Sequence, residues 1–198
     1  MNETPRPTPI ERFAAGDDSA ASAIIAETLA PTFDLAFHFC GDAERAGEAT
    51  YEACSTLLNI VRGQRYRAPE PLAVTGAFIN SWGTREGLAP FSTPFAFEES
   101  AALGCTPTDK RLGALSGASI GVRRAVATAI AMDLADAALG FALGLPMNEA
   151  NAAVDAGLCL IPSETPLVRL RDLMDLRAAS VRIPRGIEDK ILAPYESD

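Results

Sequence analysis

Histidine is almost missing from this chain. His38 is alone in 198 residues, and it lies between Phe37 and Phe39 in an apolar stretch. A histidine held there as a structural group is several times commoner than a general base. Cysteine is sparse too: Cys40, Cys54, Cys105 and Cys159 are far apart and make no C-x-x-C pair. Three of them sit in apolar helical context, where a small buried hydrophobe is the ordinary role, so neither disulfides nor a metal site is expected. The spacings G-x-x-x-x-G-K-[ST], G-x-S-x-G and H-E-x-x-H are absent, which removes a phosphate-cradling loop, a serine nucleophile on a sharp turn and a zinc helix. Asp17-Asp18 and Glu98-Glu99 are adjacent rather than helically spaced, as solvated charges are. No catalytic residue and no cofactor is expected, and the chain reads as a non-enzyme.

Positive charge is scarce. There are 17 basic against 26 acidic residues, a formal charge of -9 and a pI near 4.7. Neutralising phosphates supplies most non-specific affinity for nucleic acid, and this balance opposes it. No stretch approaches the roughly 18 consecutive apolar residues of a membrane span. Pro5, Pro7 and Pro9 occupy the place of a secretory apolar run. The expectation is a cytoplasmic protein with no membrane contact. Alternating strand patterns are missing as well.

What is present is an ordinary globular balance, 48% hydrophobic and 22% charged, in a helical pattern almost throughout. The fold class is therefore all-α. Residues 1–16 read as a flexible tail. Ile25, Leu29, Phe33 and Phe37 recur every fourth residue and make one apolar helix stripe, with Pro31 inside it expected to kink or restart the helix. Asp42 is placed to cap a second helix, Glu44 stands in its first turn, and Ala46, Ala49, Ala53, Leu57 and Val61 form its buried face. Leu72, Phe78, Ile79 and Trp82 suggest a shorter helix that completes a unit over 17–89. Residues 90–108 are rich in Gly, Pro, Ser and Thr and read as a linker. A second unit over 109–162 has Leu112, Leu115, Val122, Val126 and Ile130 at helical spacing. It continues into "DLADAALGFALGLPMNEANAAVDAGLCLI", two short helices pinched at Gly144-Leu145-Pro146. In the extension, 163–198, Leu167, Leu170, Leu173, Met174 and Arg177 suggest an amphipathic helix.

Two of these segments, in order, resemble the two domains of bacterial RNA polymerase sigma factors of the extracytoplasmic-function type. In Ile24 to Cys54, the residues Ala30-Pro31, Leu35-Ala36, Gly41-Asp42, Glu44, Ala46, Glu48 and Glu52 fall in the family's register, with Tyr51 in place of its Gln. In Ala114 to Ile161, Ala114-Leu115, Arg123, Asp133-Leu134, Leu143-Gly144 and Val154 keep the scaffold of the promoter-binding helix-turn-helix. The family's recognition helix carries Thr, Lys and Arg where this chain has Glu149, Asn151, Ala153 and Ala156. Reading DNA needs donors to base edges and cations on phosphates. The corresponding helix here offers Asn148, Glu149, Asn151, Ala152 and Asp155.

The resemblance implies a degenerate sigma-factor-like protein acting through protein contacts, with promoter reading lost or weakened. Its expected partner is core RNA polymerase or an anti-sigma factor, met through Glu48, Tyr51 and Glu52, the positions that dock on the polymerase clamp in the family. The family's promoter-melting stretch resembles "PLAVTGAFINSWGTREG", in which Trp82 and Arg85 are candidate nucleic-acid contacts and a partly buried core anchor is the plainer role for Trp82. One alternative is a working sigma factor gripping DNA through Arg62, Arg65 and Arg67 or through Arg169, Arg171 and Arg177. A helical enzyme with an unrecognised site is another. The extension's apolar stripe is expected to pack across the former recognition surface.

Overall fold

The computed structural model describes residues 6–92, 115–161, 166–179 and 181–196. Among them are nine α-helices, a short 3-10 turn and no strand. The helices are α1 (Pro9–Ala14), α2 (Ala20–Cys40), α3 (Ala43–Arg62), α4 (Pro71–Arg85), α5 (Ile120–Ala131), α6 (Asp136–Leu143), α7 (Met147–Leu158), α8 (Pro166–Ala179) and α9 (Ile187–Leu192).

The part of the expected tail that is described does not behave as one. Thr8 and Glu11 close a capping box around Pro9 at the first helical position, and Phe13 is wholly buried. Its ring meets Tyr195 edge-on at 5.2 Å between centroids and takes the Arg62 guanidinium over its face at 4.2 Å. Burying a side chain of that size stabilises the fold by roughly 1.5–3 kcal/mol, enough to order a six-residue helix.

Helix α2 is the spine. It runs through Pro31 without a break, against the expected interruption. Proline strips a hydrogen bond from the carbonyl four residues back, and here that residue is Glu27, on an exposed face where water can take over. The buried Thr28 and Thr32 hydroxyls donate to the carbonyls of Ile24 and Thr28, at 2.8 and 2.7 Å. By length and composition α2 is apolar enough to cross a bilayer. The surrounding helices account for that apolarity, because Ile25, Phe33, Leu35, Ala36 and Phe39 are all at most 1% exposed within the core.

Helix α3 forms as its pattern requires. Asp42 Oδ1 accepts from the Arg45 amide at 2.8 Å, and Ala46, Ala49, Ala53, Leu57 and Val61 are buried. Two apolar clusters result. One joins the first half of α2 to α1, the end of α3 and α9. The other joins the second half of α2 to α4, α5, α6 and α8, so the units expected at 17–89 and 109–162 pack directly on each other. Most of the expected linker falls outside the described residues, as do Leu112 and Cys105.

The joint between those units is α4 on α6 and α5, and it is close because it is lined by small residues. A Cβ at Gly76 would stand 2.9 Å from Met132 Sδ and 3.1 Å from Ala142 Cβ. One turn further along, Asn80 spans the joint: its Nδ2 donates to Gly76 O at 2.9 Å, Thr128 Oγ1 at 3.0 Å and Ala142 O at 3.3 Å. A second polar bolt, Thr32 to Thr75 at 2.9 Å, fixes α2 to α4.

Helix α6 starts at Asp136, three residues after Asp133; both adopt positive φ, 49° and 52°. Gly144 at φ 67° ends it in the left-handed turn that glycine reaches without strain, and α7 begins three residues later at Met147. Gly140 lets the turn fold back, since a Cβ there would stand 2.9 Å from Leu145 O. Helix α8 does not cover α7, as the expected packing required. Its buried Leu170 and Met174 lie against α5, and Arg171 pairs with Asp133 at the end of that helix. Leu167 remains exposed.

Candidate functional site

Two helix faces carry the residues singled out by sequence. On α3, Glu48, Tyr51 and Glu52 are spaced by three and four residues and so share one side. All three are exposed, opposite the alanine face that packs into the core. The described hydrogen bonds and ion pairs leave this triplet uncommitted. An exposed phenol between two carboxylates can accept cations and cover an apolar side chain at once.

The second face is on α7. Only Ala150 and Gly157 of that helix are buried. Asn148, Glu149, Ala152 and Asp155 are exposed, and Asn151 is partly buried, with its Nδ2 donating to Asp136 Oδ1 at 3.0 Å. Asn151 therefore ties α7 to the start of α6 and is not a free donor. The C-terminal end of α7 presses on α5, with Gly157 against Val126 and Val122. No Lys or Arg lies on α7. The α3 and α7 faces are separate surfaces, because α3 packs on α1, α2, α4 and α9 whereas α7 packs on α5 and α6.

Trp82 takes the plainer of its two roles. It is 8% exposed, edge-on to Phe39 at 6.5 Å, with the Arg45 guanidinium 5.8 Å above it. An indole enclosed in this way has no free face on which to stack a base. Arg85 is exposed and lies over Phe78 at 6.0 Å. His38 is buried beside Phe91, with ring centroids 5.8 Å apart. Among the described residues no three of His, Cys, Asp and Glu converge as metal ligands would.

Of the arginines that could have gripped DNA, Arg65 is exposed, the side chains of Arg169 and Arg177 lie outside the described residues, and the other three are occupied. Arg62 pairs with Asp18, Arg171 with Asp133, and Arg67 turns onto the carbonyls of Gln64 and Tyr66. Arg123 and Arg124, in the first turns of α5, face the loop after α4. Arg123 donates to Pro90 O at 3.3 Å and Ser92 Oγ at 2.9 Å, and Arg124 to Leu88 O at 3.3 Å. Desolvation, and then the charge of Arg123, lower the pKa of Arg124.

Arg124 borders an open groove of about 400 Å³ between α4, the start of α5 and the α6–α7 turn. Nothing in the sequence pattern marks this groove. Its residues are distant in sequence, and only the packing of α4 on α6 assembles them.

Elsewhere, burial and then the nearby Asp175 push the Asp34 carboxyl up to about 6. Burial pushes the Cys54 thiol up to about 12, leaving it unreactive. Comparison of the chain with protein-family models, curated proteins and solved structures returns no match.

Proposed function

We propose that the chain is a degenerate sigma-factor-like regulatory protein that acts through protein surfaces, with core RNA polymerase or an anti-sigma factor as its partner and promoter reading lost or weakened. The observation that carries this reading is the chemistry of α7. A short helix, a glycine turn and a second helix are in place, and the second helix stands out in solvent as a recognition helix does. Its exposed side chains are Met147, Asn148, Glu149, Ala152, Asp155 and Ala156, with no cation among them. Brought to a phosphate backbone, those carboxylates add repulsion where counterion release is needed.

The α3 face supports the protein-binding half. Glu48, Tyr51 and Glu52 are exposed together and uncommitted, as a docking surface must be before its partner arrives. On this reading the protein works in the cytoplasm, where polymerase is. It does so either by occupying polymerase or by sequestering an anti-sigma factor through a sigma-like shape.

The test is capture by the purified full chain of core polymerase and anti-sigma factors from its own host, beside a gel shift on random duplex DNA at low salt. Capture without a DNA shift is expected. The triple variant Glu48→Lys, Tyr51→Ala, Glu52→Lys should lose at least tenfold in affinity, as reversal of charges and removal of an aromatic at an interface do. Capture accompanied by a salt-sensitive DNA shift would instead identify a functioning sigma factor. No capture of either partner would refute both.

A further inference from the structure

The groove between α4, α5 and the α6–α7 turn has features that no packing role accounts for. Its volume, about 400 Å³, lies within the usual range for small-molecule sites. One wall is polar: Ser81 and Thr84 on α4, and Gly121 and Arg124 in the first turns of α5. A guanidinium has five donors. At Arg124 one of them meets an acceptor, Leu88 O, and no described carboxylate pairs with the charge. Arg123, next to it in sequence, is committed to Pro90 O and Ser92 Oγ.

The opposite wall is apolar and large. Phe141 is 44% exposed and Leu145 38% exposed, with Leu143 beside them. Side chains of that size are left in solvent at a concave site when something covers them. A partly desolvated cation without a carboxylate partner, facing exposed apolar side chains across one groove, selects a ligand with an anionic head and an apolar body.

We propose that this groove binds small amphipathic carboxylates, the carboxylate on Arg124 and the Ser81 hydroxyl, the apolar body against Phe141, Leu143 and Leu145. The groove is built from both helical units, so a bound ligand ties α4 to α5 and α6 and raises the stability of the chain by mass action. The site is independent of the α3 surface. It stands or falls whether or not the chain docks on polymerase.

Titration of the full chain with sodium octanoate, followed by amide chemical shifts and by thermal melting, tests this. Saturable binding with Kd on the order of 0.1 mM is expected for a ligand of ten heavy atoms. Shifts should be confined to Ser81, Gly121, Arg124 and Phe141 to Leu145, and Tm should rise. Octan-1-ol and octylammonium should bind at least tenfold more weakly. Arg124→Gln should lose about tenfold in affinity, the worth of one charge-assisted contact. Because Arg124 also lies over Phe39, Leu145→Glu serves as a variant at an exposed position that keeps the fold, and it should lose as much by setting a charged group against the apolar body of the ligand. Absence of saturation up to about 5 mM octanoate, shifts spread over the whole surface, equal binding of octan-1-ol, or unchanged affinity in both variants would overturn the proposal.

Discussion

Asn80 is the most consequential polar side chain in the core, and Asn80→Asp tests how the two helical units are held together. The residue is 7% exposed, and its Nδ2 serves acceptors on three helices: Gly76 O, Thr128 Oγ1 and Ala142 O. Aspartate has nearly the same shape, so no cavity forms and the change is electrostatic. Protonated, it keeps one donor and can hold one of the two carbonyls. The other acceptors then lose their partner, at a cost of about 2 kcal/mol for buried groups left unsatisfied. Ionised, it sets a carboxylate oxygen against the carbonyls of Gly76 and Ala142 in a poorly solvated site, and the cost rises to about 4 kcal/mol or more. The introduced acid therefore has a higher pKa folded than unfolded. The folded state keeps its proton through the window above the unfolded value, and stability must fall as pH rises through that window. Urea unfolding at pH 3, below the unfolded value, and at pH 8 measures both arms. We expect a loss of about 2 kcal/mol at pH 3 and about 4 kcal/mol at pH 8, in a single transition because the α4–α6 joint belongs to one core. A loss that is the same at both pH values, or under about 0.5 kcal/mol at pH 8, would refute the cross-link.

Three further perturbations follow from the packing. Gly157→Ala pushes a methyl group into Val126 and Val122, stiff β-branched neighbours, and should cost about 1–3 kcal/mol in urea unfolding despite the better helix propensity of alanine. Phe13→Ala should cost about 3–4 kcal/mol and expose the segment before α2 to limited proteolysis, whereas a loose tail would be cut equally in both proteins. Asp34, raised from 3.8 to about 6 by burial and then by Asp175, binds a proton more tightly folded than unfolded. Stability should therefore be highest below pH 4 on its account and decline as pH rises through 6. Part of the carboxyl is solvated, so Asp34→Asn should gain only about 1–2 kcal/mol at pH 8 and nothing at pH 3.

Periodicity identified the buried faces far better than it identified what covers them. The alanine and leucine stripe of α3 and the cap at Asp42 could be read directly, because a helix face and its N-cap are local properties. So could the break at Gly144, whose left-handed conformation only glycine adopts cheaply. Helix α1 carries its own signal, Thr8-Pro9 followed by Glu11, but six residues are too few to show a stripe. The continuity of α2 through Pro31 depends on Glu27 facing water, a tertiary fact. The stripe of α8 announced burial of Leu170 and Met174 without saying that α5 would receive them. The groove at Arg124 was invisible for the same reason, being made by one helix crossing another.

The position of α8 sharpens the case against DNA reading on the proposed function. Had α8 lain across α7, a steric block alone would explain a silent recognition helix, and removing the extension would restore it. Instead α8 rests on α5 beside Asp133, and the outer side of α7 stands open from Asn148 to Asp155. Any barrier to DNA must then be chemical, set by Glu149 and Asp155 and by arginines committed to Asp18, Asp133 and the loop after α4. A chemical barrier also leaves the face available. The same carboxylates that repel a phosphate backbone complement a basic protein surface, so losing one partner and keeping another can be consequences of a single set of side chains.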